Sequence, residues 1–575
     1  SRPPPPASAA RSRAAPWPPP PVAMDLLGRC RAACSPPCAP ADVLGAGRPR
    51  LCSWSEEEVT TEGADPAVGL EYGFLGSRLG QPTVGARPPL PRAAHASLCD
   101  PGGLVPVHGF GEDRRAGGPT LAGVYALDPT PLGRGSYGEV TGAVHRQTGA
   151  RRAVKSVGKA GLGRYVRDVS GFVRREVDIL RGVDHPNIVR LYEAYEDDAN
   201  IHLVLELCEG GDLLERVTVA RERLPEHEAA LLLLQMLSAV QHLYLRGIVH
   251  RDLKPENFLF TRREPEREPL PPAVAPVKLI DFGLSRRLGF EAGMRITPKI
   301  GTAEYMAPES FAGRIKPVLA DRADMWSMGV VLHVIFIGHF PSPRLAELSM
   351  DEYLALPCWA RISKPGRDLL GQLLHPDPAR RPPVTHVLRH PWLAQAATRG
   401  GGPPPNLTAA VQSYAGAVDL RRLALAAAAR EADDCELAPV RQAFRALELE
   451  CGGSLTRAAL ERAAQQASRA SAPLAAQLAR AFEAVDIDGS GAVEWTELVA
   501  ASLCTGGAPE AGTPCRGPAP LPPLRDDACR RAFGLLGQGA GALTAETLAR
   551  AVATARGPAD EPCGDTPSGG TGGSA

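Results

Sequence analysis

His250-Arg251-Asp252-Leu253-Lys254-Pro255-Glu256-Asn257 is the stretch of this chain whose reading decides the fold. Eight residues of these types in this order do not arise by chance. Asp252 can accept the proton of a hydroxyl, Asn257 can hold a metal ion, and Lys254 can neutralise charge on a phosphoryl group in transfer. Downstream, the apolar strand Val277–Ile280 delivers Asp281-Phe282-Gly283, whose carboxylate would bind a Mg²⁺ bridging phosphates. Ala307-Pro308-Glu309 closes the segment that follows.

Working upstream, Leu132-Gly133-Arg134-Gly135-Ser136-Tyr137-Gly138-Glu139-Val140 carries a Gly-x-Gly-x-x-Gly-x-Val pattern. Glycines also serve plain hairpin turns, but a backbone that closes over phosphates needs positions without side chains. The pattern lies between two strands rather than between strand and helix, which argues against a dinucleotide fold. Lys155 follows on the next strand within Ala153-Val154-Lys155, among apolar neighbours where a cation requires partners. Triphosphate oxygens and the carboxylate of Glu176, on the following helix, would supply them.

From Leu132 to Glu309 these residues resemble the protein-kinase superfamily in order and spacing. The resemblance implies two lobes with ATP and Mg²⁺ at the seam, and Lys254 favours Ser/Thr over Tyr as acceptor. It implies that Val140, Ala153 and Leu259 sandwich adenine and that Leu205 is the gatekeeper. By the same resemblance Glu206 to Cys208 form the hinge, and Asp212 reaches the ribose. Arg381 matches the buried partner of Glu309, and Asp324 and Trp326 match the helix that anchors the catalytic loop. A kinase fold without chemistry, serving as a sensor or scaffold, is the alternative; the intact set Lys155, Glu176, Asp252, Asn257 and Asp281 speaks against it. Thr297 is a candidate phosphosite with Arg251 as receiver, although Pro298 occupies the position where many kinases place that Thr.

A second chemistry follows. Asp486-Ile487-Asp488-Gly489-Ser490-Gly491-Ala492-Val493-Glu494-Trp495-Thr496-Glu497 fits the twelve-position EF-hand loop. Asp486, Asp488 and Ser490 stand at positions 1, 3 and 5, and Gly491 makes the turn. Ala492 offers its carbonyl at 7, Glu494 acts at 9 and Glu497 is the bidentate ligand at 12. Glu448 to Ala459 keeps the same register but places Gly452 at 5 and Ala459 at 12, so it should bind Ca²⁺ poorly or not at all. A weaker unit spans Phe533 to Leu548, where Gly537-Gln538-Gly539 replaces the acids.

A kinase, a short helical stretch and then EF-hands resembles the calcium-dependent protein kinases. The resemblance implies an intramolecular junction helix, here 406–432, that restrains the kinase until Ca²⁺ relieves it. The other reading of that stretch is a linker helix whose Arg421, Arg422 and Arg430 form a solvated basic face. A kinase with calcium-independent activity and a structural EF region also stays open. Protein substrates with basic residues before the target Ser/Thr are expected on the same footing, with Asp212 and Glu256 facing them.

The expected organisation is a disordered Pro/Gly/Ala-rich segment over 1–120 and an α+β two-lobed kinase over 127–392. The junction over 406–432, an all-α EF-hand region over 437–552 and a disordered tail over 557–575 follow. Gly 60 and Pro 57 support the low-complexity ends. Lys+Arg and Asp+Glu balance at 64 each, which argues against a general nucleic-acid binder. The 13 Cys show no regular framework, so reduced thiols are expected in a cytoplasmic setting, with nuclear or membrane-associated residence open. Cys30, Cys34 and Cys38 cluster without a fourth zinc ligand; metal binding and acylation both stay open. No apolar run is expected to span a bilayer, and Leu231–Leu245 and Met328–Phe340 read as core helices. The first Met is Met24, followed by Asp25, which removes myristoylation there and leaves the true start open.

Overall fold

Alternating apolar and polar residues on either side of the Gly-rich turn build the first sheet. The computed structural model describes residues 107–108, 119–135, 138–162, 168–219, 224–262, 276–288, 302–311, 319–341, 349–397, 403–404, 406–432, 437–466 and 469–504. Thr297, Pro298, residues 1–106 and 109–118 with the clustered Cys30, Cys34 and Cys38, the unit at 533–548 and the tail from 557 lie outside the described residues. Within the segment 1–120 expected to be disordered, Val107–His108 is instead a strand, held by pairing with 194–195. Strands β1 (Val107–His108), β2 (Tyr125–Gly135), β3 (Gly138–His145), β4 (Arg151–Gly158), β5 (Leu191–Glu196) and β6 (Asn200–Leu205) form one sheet in the order β1-β5-β6-β4-β3-β2. β2 begins earlier than the apolar pattern from Leu132 suggests, and β6 stops at Leu205, where the chain leaves the sheet as the connector between lobes. Register sets Val140 opposite Lys155 and Ala153 opposite Leu205.

Helix α1 (Val169–Arg181) lies on this sheet. Asp168 caps it by accepting the Gly171 N–H at 2.8 Å, and the 3.6-residue period turns Phe172, Val173, Glu176, Val177 and Leu180 inward. A polar residue on that apolar face is the anomaly, and Glu176 is the one whose carboxylate matters below.

The second lobe is helical. Its centre is α2 (Glu226–Leu245) and α3 (Ala320–Ile337), both apolar on nearly every face because neighbours surround them. By length and composition α2 could cross a membrane, which corrects the expectation that no run is long enough. The same helix has 78% of its apolar window buried inside this fold, as a core helix does. After the turn at Gly247 (φ 69°) come the short strands β7 (Ile248–Val249), β8 (Phe258–Phe260), β9 (Val277–Leu279) and β10 (Arg286–Arg287). β7 pairs with β10 and β8 with β9, bracketing residues 250–257 and 281–283 from both sides. Helices α4 (Lys364–Leu373) and α5 (Pro391–Ala397) complete the lobe, and Arg381 pairs with Glu309 at 2.8 and 3.3 Å while stacking over the Trp326 ring.

A separate apolar core gathers α6 (Leu407–Ala415), α7 (Asp419–Glu431), α8 (Ala438–Cys451), α9 (Arg457–Ala464), α10 (Ala472–Arg480), α11 (Phe482–Val485) and α12 (Trp495–Ser502). The stretch 406–432 is two helices, not the single one expected. Gly416 caps α6, and Val418 is extended before α7 begins, since glycine is a weak helix former and ends helices readily. Its arginines are not all on a solvated face: Arg421 is exposed, but Arg430 donates to the Leu191 carbonyl at 3.2 Å and Arg422 to that of Ala484 at 3.3 Å. The α8–α9 and α11–α12 units face each other through a bridge between Leu455 and Val493.

The Arg381–Glu309 pair sits where water cannot replace a lost partner. Arg381→Ala should cost about 3–5 kcal/mol of stability in urea unfolding of the full chain; a loss below about 1 kcal/mol would place the pair among exposed ones.

Candidate active site

Lys155 is the hub of the seam between the lobes. Its Nζ donates to Glu176 Oε1 at 2.7 Å and to Asp281 Oδ1 at 2.8 Å, so β4, α1 and the end of β9 meet on one ammonium. Burial alone would lower the lysine, but the two carboxylates outweigh it and hold the group above its ordinary range. Those carboxylates share a single cation and diverge. Burial pushes Glu176 up, whereas Lys155 holds the more open Asp281 below the usual aspartate value against its own burial.

The catalytic-loop backbone is strained at two non-glycine positions, Arg251 (φ 72°) and Asp281 (φ 61°). Asp324, at the start of α3, explains the first: its carboxylate accepts the N–H groups of His250 and Arg251, both at 2.9 Å. Burial pushes this acid up to about 6. Between the two strained residues, the Ile280 N–H donates to the Asn257 carbonyl at 2.9 Å, tying the amide-bearing turn to the Asp281 strand.

Asp252 lies within this frame. Lys254 Nζ is 2.9 Å from its Oδ2, the Thr302 N–H and hydroxyl both donate to Oδ1 at 2.9 Å, and Asn257 Nδ2 is 3.2 Å from Oδ2. Burial would raise this carboxyl, but Lys254 and Thr302 hold it below the ordinary aspartate range. Lys254 also donates to the Thr302 hydroxyl at 2.8 Å. Sequence reasoning missed Thr302; its only signal is a Thr a few residues before Ala307-Pro308-Glu309. The structure thus gathers Lys155, Glu176 and Asp281 into one cluster, and Asp252, Lys254 and Asn257 into a second, joined through Ile280.

The three loop glycines differ in physical role. A Cβ on Gly138 would lie 2.1 Å from the Ser156 carbonyl, so strand packing demands glycine there; one on Gly133 would meet nothing within 4 Å. Gly135 pairs with Gly138 at the hairpin end, and Leu132 is exposed at its rim. Ala153 is buried in β4, and Leu259 bridges to Asp212. Asp212 spends Oδ1 on the Glu215 N–H at 2.7 Å as a helix cap, leaving one oxygen for a ligand role. Glu206 is braced by the buried Lys278 at 2.9 Å and by the Arg190 N–H at 3.2 Å, with Cys208 half-buried beyond it.

The loop 486–497 forms a second, acidic site. Carboxylate oxygens of Asp486, Asp488 and Glu497 lie within 4.8 Å of one another. Gly489 (φ 68°) and Gly491 (φ 81°) supply the left-handed turns, and the Gly491 N–H donates to Asp486 Oδ2 at 3.0 Å. The Ser490 hydroxyl donates to the Ala492 carbonyl at 2.9 Å, and Glu497 accepts the N–H groups of Ile487 and Glu494 at 2.7 and 2.9 Å. Burial, then repulsion from Asp488, pushes Asp486 up to about 6 and Glu497 well above the ordinary range. Burial pushes Glu494 up to about 8 even though it pairs with Arg246. Crowded oxygens that resist ionisation together are a donor set that a hard divalent cation fits.

The protein kinase domain family matches residues 128–393. Calcium-dependent protein kinase 20 of Oryza sativa subsp. japonica is 35% identical over 384 residues, 65% of this chain and 66% of that protein. Calcium-dependent protein kinase 7 of Arabidopsis thaliana is 32% identical over 386 residues, 65% of this chain and 68% of its own length. Calcium-dependent protein kinase 5 of Plasmodium falciparum is 29% identical over 394 residues, covering 67% and 65%. The chain therefore spans about two thirds of the length of each of these relatives.

If Asp324 holds the strained turn, Asp324→Ala should speed amide hydrogen exchange at 250–252 by roughly tenfold or more, the loss of bonds to a charged acceptor. Asp324→Asn, which keeps one acceptor, should lie between. Unchanged exchange in the alanine variant would mean the turn is held elsewhere.

Proposed function

The chain belongs to the calcium-dependent protein kinase family, and on that premise we propose that it transfers the γ-phosphate of ATP to Ser or Thr hydroxyls of proteins under calcium control. The observation that carries the chemistry is the seam itself: Lys155 bonded to both Glu176 and Asp281, beside an Asp252 dressed by Lys254, Thr302 and Asn257.

Lys155, positioned by Glu176, orients the α/β-phosphates. Asp252, kept ionised by Lys254 and Thr302, accepts the hydroxyl proton as the oxygen attacks. Lys254 also reaches the transferring group and offsets its charge. Val140, Ala153 and Leu259 enclose adenine, with the backbone of 206–208 along its edge. When bound at Asp281 and Asn257, Mg²⁺ supplies charge neutralisation across the phosphates. Positioning and electrostatics account for the rate, on the order of 1–100 s⁻¹. Glu256, which accepts the Tyr305 hydroxyl at 3.4 Å, and Asp212 favour substrates with basic residues ahead of the target. Free thiols at Cys358, Cys451 and Cys504 fit a reducing, cytoplasmic setting.

The helices from 438 to 504 form an EF-hand pair with one working loop. Asp486, Asp488, Ser490, the Ala492 carbonyl, Glu494 and Glu497 would hold Ca²⁺, whose charge relieves their mutual repulsion; sensor loops of this type bind at roughly 10⁻⁷ to 10⁻⁵ M. Gating through the junction is supported by packing: Leu407, Val411 and Tyr414 of α6 share one buried core with Leu478, Phe482 and Leu498. The ligand loop and the junction therefore cannot rearrange independently.

Asp252→Asn should lower turnover by roughly 10²–10⁴-fold with the KM for ATP little changed; near-normal turnover would refute the base assignment. Full-length protein assayed on a basic Ser/Thr peptide should lose activity in chelator, and equal rates would leave a constitutive kinase. Glu497→Gln should move the calcium midpoint, read by calorimetry, to higher concentration while leaving ATP binding alone. A chain that binds no ATP·Mg²⁺ would instead be a scaffold.

A further inference from the structure

The loop Glu448–Ala459 has the backbone of a calcium hand without its ligands. Gly453 at the sixth position turns through φ 102°, and Leu455 at the eighth bridges to Val493 of the working loop. Ala459 at the twelfth position has no side-chain oxygen to offer. Its first-position acid, Glu448, nevertheless survives, and a buried carboxylate needs a partner.

That partner is the catalytic domain. Glu448 Oε2 accepts the Ser238 hydroxyl of α2 at 2.5 Å and lies 3.4 Å from His185 Nε2, and Glu448, Ser238 and His185 are all buried. Gln241, one turn along α2, donates to the Gly452 carbonyl at 3.2 Å. A Cβ on Gly453 would lie 2.4 Å from the Gln241 side chain, so this glycine leaves room for α2 beside the loop backbone, while one on Gly452 would meet only Arg389, at 3.9 Å. Phe444 meets His185 edge-on at 6.1 Å, and Leu449 packs against the apolar core of the kinase rather than that of its own helices.

We infer that the degenerate hand is a docking element: Glu448 and the Gly452–Gly453 backbone fasten the EF-hand pair to the Ser238–Gln241 face of α2, and this fastening makes no demand on calcium. A first-position acid in a working loop is spent on the ion; here it is spent on Ser238. Gly452 at position 5 takes a side-chain ligand from the loop but accepts from Gln241 through its carbonyl, and Gly453 keeps the sixth-position turn while leaving room for α2. The inference stands on these side-chain and backbone contacts and does not rest on calcium gating of the kinase.

The test is hydrogen exchange of the full chain in chelator and in calcium, followed at residues 448–456. In the natural sequence this loop should be equally protected in both conditions. Glu448→Lys should speed its exchange by roughly tenfold or more in both, the loss of a charge-assisted hydrogen bond. Calorimetric Ca²⁺ binding at 486–497 should remain, showing that the pair is folded. Should Glu448→Lys lose Ca²⁺ binding, Ser238→Glu, which sets a second carboxylate against Glu448 from the kinase side, must give the same release with binding retained. Protection that vanishes in chelator in the natural sequence, or that survives both substitutions, overturns the inference.

Discussion

One ammonium shared between two carboxylates organises the catalytic half of this protein. Lys155 stands on a sheet strand, Glu176 on the helix that covers the sheet, and Asp281 at the mouth of the second lobe. None of the three is stable alone where it sits. Burial opposes the charged form of each, so the cluster exists only while all three elements are in place. The seam between the lobes is thereby both the catalytic geometry and the electrostatic condition for the lobes to meet as they do.

The second lobe keeps the catalytic loop in a conformation it would not adopt unaided. Arg251 and Asp281 are left-handed without being glycine, and each is met by fixed acceptors or donors nearby: Asp324 for the first, Lys155 and the Gly283 N–H for the second. Asp324 sits at the start of α3, and Trp326, one position past the next residue, carries Arg381 over its ring. The same Arg381 holds Glu309, which ends the segment bearing Thr302. A chain of buried charges thus runs from the far end of the lobe to the hydroxyl-accepting carboxylate.

The helices from 406 onward touch this framework at charged points. Glu431 pairs with Arg152, three residues from Lys155, and Arg152 stacks over Tyr192. The carbonyl of Arg430, near the end of α7, accepts from Arg190 and Tyr192, so the kinase sheet caps α7. The Thr496 N–H donates to Asp184 at 2.6 Å, and Glu494 pairs with Arg246, which precedes the catalytic loop by one turn and one strand. The proposed calcium loop is therefore built partly from residues that the kinase also holds.

The linear order of residues was enough to point to the proposed reaction. Asp252, Asn257, Asp281, Lys155 and Glu176 carry chemistry that apolar periodicity does not explain, and their spacing is short-range information. Helices α1 and α2 were legible for a similar reason: period and caps are local. The break of the junction at Gly416–Val418 was only weakly written, because a glycine inside an Ala/Leu-rich stretch competes with strong helix formers. What the sequence did not disclose was a set of particular pairings between distant parts of the chain. Thr302 on Asp252, Arg246 on Glu494 and Glu448 on Ser238 each join residues that no spacing rule relates, whereas Asp324 beneath Arg251 was anticipated by resemblance alone. A buried charge must find a partner, but only the packing of the whole chain decides which one comes within reach.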